Sequence, residues 1–159
     1  MAGHDRLTDE GKRFFAQIKE LEQLQVRVGF QAGEAAEKDG VDIANIAMWN
    51  EVGTSRAPAR PFLRPSVDDH KEDIAKVCKA YLQKLAKGEV TAQQILSGLG
   101  SMQVGLVQDK ILDGPHIPNA PSTLSSKLRK GLSEKPLIAT GSMKNHVTFV
   151  IKPKGEGDD

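Results

Sequence analysis

Residues 53–65, GTSRAPARPFLRP, constrain this chain more than any other stretch. Pro58, Pro61 and Pro65 each lock φ at about −65° and push the residue before them toward extended geometry. The segment therefore predicts a stiff extended arm between two stretches that read as helices. Arg56, Arg60 and Arg64 recur along it at a four-residue step with no acid between residues 53 and 65, and Phe62–Leu63 adds an apolar pair. A cationic, partly apolar arm suits a contact with a neighbouring subunit or partner through Arg56, Arg60, Phe62, Leu63 and Arg64. The alternative is a surface crossover whose arginines are solvated and whose Phe62 plugs the chain's own core.

The flanks carry clearer periodicities. Thr8 followed by Asp9 and Glu10 is a helix start, and Phe14, Ile18 and Leu21 share one face, which predicts a helix over 9–24. Val26, Val28 and Phe30 alternate with Arg27 and Gly29, as in a strand with one buried face. The acidic, glycine-bounded residues 31–40 read as an exposed loop. Ile43, Ile46, Ala47 and Val52 suit a short helix with Trp49 as its large anchor and Gly53 as its C-cap. Ser66-x-x-Asp69 looks like a capping box opening a helix over 66–87, and Thr91-x-x-Gln94 like another opening a helix that ends near Gly114-Pro115. These two long helices are expected to pair, with Gly98, Gly100 and Gly105 marking close packing or a kink. Residues 114–137, with four prolines, form a second arm whose polar stretch 123–131 can be helical, and Val147, Phe149 and Ile151 alternate as a last strand over 146–152.

The fold class expected is α+β: a small antiparallel or mixed sheet packed against two long helices, with extended proline-rich arms at 31–40, 53–65 and 114–137. At 159 residues the chain suits one domain, 1–154, with a flexible acidic tail at 155–159. Aromatics are only 4% of residues, so the core must rest on Leu, Ile, Val and Ala. The formal charge of +1 hides a polarity. Residues 1–52 carry six Lys or Arg against ten Asp or Glu, whereas residues 116–154 carry seven against Glu134 alone. Lys127, Arg129, Lys130 and Lys135 form the densest basic patch, a candidate surface for a partner or a DNA path.

Reactive chemistry is sparse. The four histidines lie far apart, no metal-ligand spacing occurs, and lone Cys78 on an apolar stripe reads as a small buried hydrophobe. No phosphate-binding loop or nucleophile elbow is present. Catalytic residues, a metal and a cofactor are not expected, and the chain is read as a non-enzyme. No apolar run reaches the roughly 18 residues of a membrane helix, and no secretory leader opens the sequence, so synthesis in the cytoplasm is expected.

Two segments together resemble a known family. Asn50-Glu51-x-Gly53-Thr54 followed by Pro58-x-Arg60-Pro61-Phe62-Leu63, and later Pro136-Leu137-x-x-Thr140-Gly141-x-Met143, look like the minor virion proteins of tailed bacteriophages called tail-completion, neck or virion-morphogenesis proteins. The order of elements over about residues 25–152 also fits, although little chain follows the last strand. The resemblance implies a structural role at the head–tail junction of a virion made in a bacterial host. It implies a homo-oligomeric, hexameric ring meeting connector, tail-terminator or tail-tube proteins, with possible non-specific contact to DNA in the channel and none with a membrane. Gly53, Thr54, Pro61, Pro136, Leu137, Thr140 and Gly141 would then be structural. Unlike charges at the two ends of the chain suit the head-to-tail interfaces that a ring needs. The competing expectation is a non-sequence-specific DNA-binding accessory protein using the basic C-terminal surface; a regulatory or toxin-like product finds no supporting residue.

Overall fold

The computed structural model describes residues 7–37 and 39–156. Seven helices and two strands follow in the order α1 (Asp9–Gln23), β1 (Leu24–Gly29), α2 (Ile43–Val52), α3 (Leu63–Asp68), α4 (Lys71–Ala86), α5 (Ala92–Asp113), α6 (Pro121–Arg129), α7 (Ser142–Asn145) and β2 (Thr148–Pro153). β1 and β2 form a two-stranded antiparallel sheet against the long α5, so the fold is α+β. The acids of the tail at 158 and 159 lie outside the described residues, as do His4 and Lys38.

The chain, read above as one domain, groups into two compact units. One comprises the described residues of Met1–Arg27, Lys71–Ser101 and Val150–Asp159. The other comprises those of Val28–His70 and Met102–Phe149.

In the first unit, local signals act as the sequence implies. Thr8 Oγ1 accepts the Gly11 N–H at 3.1 Å and starts α1. At α5, Thr91 N–H donates to Gln94 Oε1 at 2.9 Å while Gln94 N–H donates to Thr91 Oγ1 at 3.2 Å, a reciprocal capping box. Gln17 of α1 reaches the same helix start, its Oε1 accepting the Ala92 N–H at 2.6 Å. Leu85, Ala92, Ile95 and Leu96 are the buried apolar residues here. A Cβ at Gly98 would overlap the Tyr81 hydroxyl, so this glycine lets α4 and α5 approach closely, as expected of the helix pair.

The second unit holds the larger core. Ile43 and Ala47 of α2, Phe62, Val107 and Ile111 of α5, Leu137, Met143 and Val147 are buried together, with Val28, Phe30 and Val104 packed against them. Phe30 and Phe62 meet edge to face, ring centroids 6.0 Å apart.

The helix expected over 66–87 is broken. α3 ends at Asp68, a turn occupies residues 69 and 70, and α4 begins at Lys71. Ser66 is not its cap: it is fully buried inside α3, where its Oγ donates to Leu63 O at 2.6 Å and accepts from Gln103 Nε2 at 2.7 Å. Asp69 instead pairs with Lys110 of α5. Asp69 thus spends its carboxylate on α5 rather than on a helix start, and the His70 N–H donates to Val67 O, three residues back instead of four, where the helix breaks.

Candidate functional site

The site grows from the end of α2. Gly53 adopts φ 78°, and its N–H closes the helix on Trp49 O at 2.9 Å. A Cβ there would lie 2.7 Å from the Ala59 backbone nitrogen, so only glycine allows the chain to fold back this tightly. Thr54 then fastens the turn: its Oγ1 accepts N–H groups from Arg56 and Ala57 at 3.2 and 3.1 Å. Asn50 O accepts the Arg60 N–H at 2.7 Å. Glu51 completes the anchorage. Its Oε2 accepts the N–H groups of Phe62 and Leu63 at 2.7 and 2.9 Å, and its Oε1 that of Arg64 at 3.0 Å.

These ties correct the extended arm expected over 53–65. The segment is a tight fold-back sewn to α2, and its last residues enter α3. Proline stiffness is compatible with both forms; the Glu51 and Asn50 contacts select the compact one.

Side chains along this segment divide by depth. Phe62 is 0% exposed and fills the chain's own core, so it is not a presented contact, which settles the alternative in favour of a plug. Arg60 is only 9% exposed, and its guanidinium points inward: Nε donates to Ile117 O at 2.7 Å and Nη2 to Pro118 O at 3.0 Å. It therefore staples the fold-back to the start of the 117–143 segment. Leu63 is half-buried, whereas Arg56 and Arg64 are exposed, Arg64 facing Asp68 at 3.6 Å.

The 117–143 segment supplies the opposite wall. Pro121 opens α6 at the first helical position, and α6 delivers Lys127 inward. Lys127, 9% exposed, donates from Nζ to Lys135 O at 2.7 Å and Ile138 O at 2.8 Å. This overturns its expected place on a basic surface. Burial, and then the nearby charge of Arg60, holds its ammonium below the ordinary lysine value of 10.5. Of the other three basic residues, Lys135 pairs with Asp113 at 2.8 Å, and Arg129 and Lys130 remain exposed. Leu137 and Met143 are buried; Gly141, at φ 83°, turns the chain into α7, and Thr140 Oγ1 bonds Glu37 and Ser142.

Between these walls lies a cleft of about 480 Å³. Asn50, Pro58 and Arg60 face it from one side and Lys127, Pro136 and Thr140 from the other. The two sequence segments singled out above, far apart in the chain, thus meet at one place.

A second feature was not legible as such. Trp49, expected as the anchor of α2, is 43% exposed; the helix buries Ile43 and Ala47 instead. Met48 and Val52 are 52% and 68% exposed, so the outer side of α2 is apolar. Apolar residues lie on more than one side of α2, so its sequence does not by itself tell the buried face from the open one. Among the described residues, no group of three or more His, Cys, Asp or Glu could hold a metal ion, and no helix is long and apolar enough to cross a membrane.

The chain matches no family model, no curated protein and no solved structure.

Proposed function

We propose that this chain is a structural protein of a tailed-phage virion that acts in tail completion or head–tail joining, as a ring of identical subunits around the DNA path. The observation that carries the reading is the outer side of α2, where Trp49, Met48 and Val52 meet solvent. Tryptophan is a frequent hot spot of protein interfaces, and clustered apolar exposure marks an association surface. The neighbouring fold-back supports it, because the residues that carry the family resemblance are the ones that build this corner: Glu51, Gly53 and Thr54 make the turn, and Pro136, Thr140 and Gly141 the facing wall of the cleft. A rigid corner beside an apolar helix face suits a repeated subunit contact.

The test replaces Trp49 by alanine. Because the ring is substantially exposed, the folded monomer should keep its stability to within about 1 kcal/mol, while self-association weakens by about 30-fold or more, as for an interface hot spot. Sedimentation velocity reads the association, and complementation of a phage lacking the protein reads joining. Rings and joined particles formed normally by Trp49→Ala would defeat the proposal. Binding to duplex DNA that falls steeply with salt and depends on Arg129 and Lys130, without any ring, would favour the accessory DNA-binding role instead.

A further inference from the structure

Arg60 and Lys127 are two cations, each about nine-tenths buried, whose charges act on one another. Among the described residues neither forms an ion pair with a carboxylate. Their bonds run to the carbonyls of Ile117, Pro118, Lys135 and Ile138, which satisfy hydrogens but bring no counter-charge. Among the described residues Glu37 is the one carboxylate on the cleft wall, and it accepts from the Thr140 hydroxyl. Buried charge without a partner is costly, so the fold sustains a positive potential at this spot.

Donors remain free to use that potential. Among the described residues Arg60 Nη1 has no hydrogen-bond partner, and it is not an occluded unsatisfied atom, so part of it stays accessible. α6 starts at the same cleft, with Ala120 and Thr123 in its wall. Ala120 offers no side-chain cap, Pro121 has no N–H, and the N–H groups of Ser122 and Thr123 find no acceptor among the described residues. An open helix start adds a partial positive charge and two aligned donors. Arg56 stands exposed at the mouth.

We propose that this cleft binds the side-chain carboxylate of an acidic peptide segment presented by a partner protein. A carboxylate on a side chain can enter a cleft of about 480 Å³ and reach recessed donors, whereas a phosphate on the broad cylinder of duplex DNA meets only the rim. The cleft would take such a ligand whether or not the chain assembles into a ring.

The experiment titrates the full-length, nitrogen-15-labelled chain with an end-blocked peptide of glycine, aspartate and glutamate, and with its asparagine and glutamine counterpart. Inorganic phosphate and a short DNA duplex are titrated in parallel. The acidic peptide should shift the amides of Ser122, Thr123, Thr140 and Gly141 in a saturable way, with a dissociation constant on the order of 1 mM or tighter at low salt. The neutral peptide should bind about tenfold more weakly. Arg56→Ala, at an exposed position that leaves the fold intact, should weaken binding about two- to fivefold. Arg60→Lys keeps the charge but loses the fork, and should weaken it about tenfold or more. Equal binding of the two peptides, or no saturable shift at these amides, overturns the proposal. So does saturation by phosphate alone, which would make the cleft a site for small free oxyanions, or displacement of the acidic peptide from these amides by duplex DNA.

Discussion

Glu51 is the residue whose loss should be felt most beyond its own contacts. Its carboxylate receives three backbone N–H groups, from Phe62, Leu63 and Arg64, at 2.7 to 3.0 Å. Hydrogen bonds to a charged group contribute about 1.5–3 kcal/mol each, so three additive bonds set an upper limit of about 9 kcal/mol. Additivity fails here because the three donors share one acceptor group, and because half-buried Glu51 leaves room for water to replace part of the loss. Glu51→Ala should therefore cost about 3–4 kcal/mol, a large share of the roughly 5–15 kcal/mol that stabilises a typical domain. Glu51→Gln keeps one oxygen, able to serve Phe62 and Leu63, but turns an amide NH₂ toward the Arg64 N–H; about 1–2 kcal/mol is expected. Urea denaturation at a common m-value measures both, and amide exchange at Phe62, Leu63 and Arg64 localises the effect. A loss below about 1 kcal/mol in Glu51→Ala, with those three amides exchanging at the parent rate, would show that the carboxylate does not hold the fold-back.

Gly53→Ala should destabilise by about 2–4 kcal/mol, since the alanine would have to hold a positive φ and push back the Ala59 backbone, and the urea midpoint reads this directly. Asp69 gives an acid-side test: its bond to Lys110, and then that residue's charge, hold the carboxyl below its ordinary value of 3.8. The folded state thus takes up the proton less readily than the unfolded chain. The contribution is fully present above about pH 4 and is lost as pH falls through the lowered value, so Asp69→Asn should flatten stability in that range. Lys127 acts in the alkaline range with the opposite cause: its folded-state value lies below 10.5, so stability from this group rises with pH between that value and 10.5, and Lys127→Met should remove the rise.

Elements with a private signal were legible. Thr8, the Thr91–Gln94 box and the alternation at 148–151 each act within a few residues, and the structure places α1, α5 and β2 where those signals fall. Roles set by distant partners were not. Glu51 stood within a recognisable motif, but nothing local says that its carboxylate turns toward residues eleven to thirteen positions on. Ser66 and Asp69 mimic a capping box because the spacing is right, yet Gln103 and Lys110, supplied by α5, claim their side chains. The exchange of places between Trp49 and Phe62 has the same origin. Both are large, and the fold-back that starts at Gly53 brings Phe62, not Trp49, against Phe30 in the core.

Charge along the chain requires the same correction for depth. Seven cations against one acid over 116–154 suggest a strongly basic surface, but Lys127 is spent inside the cleft and Lys135 on Asp113. The outward charge of α6 and the turn after it comes down to Arg129 and Lys130. Two unpaired cations at the end of α6 make a weak phosphate track by themselves, because counterion release scales with the number of phosphates neutralised. In the ring proposed above, electrostatics would still orient an encounter with the acidic N-terminal third of a neighbour, but the affinity of the contact would have to come from apolar burial. That requirement points to α2, whose exposed Trp49, Met48 and Val52 offer the kind of surface that charge alone does not supply.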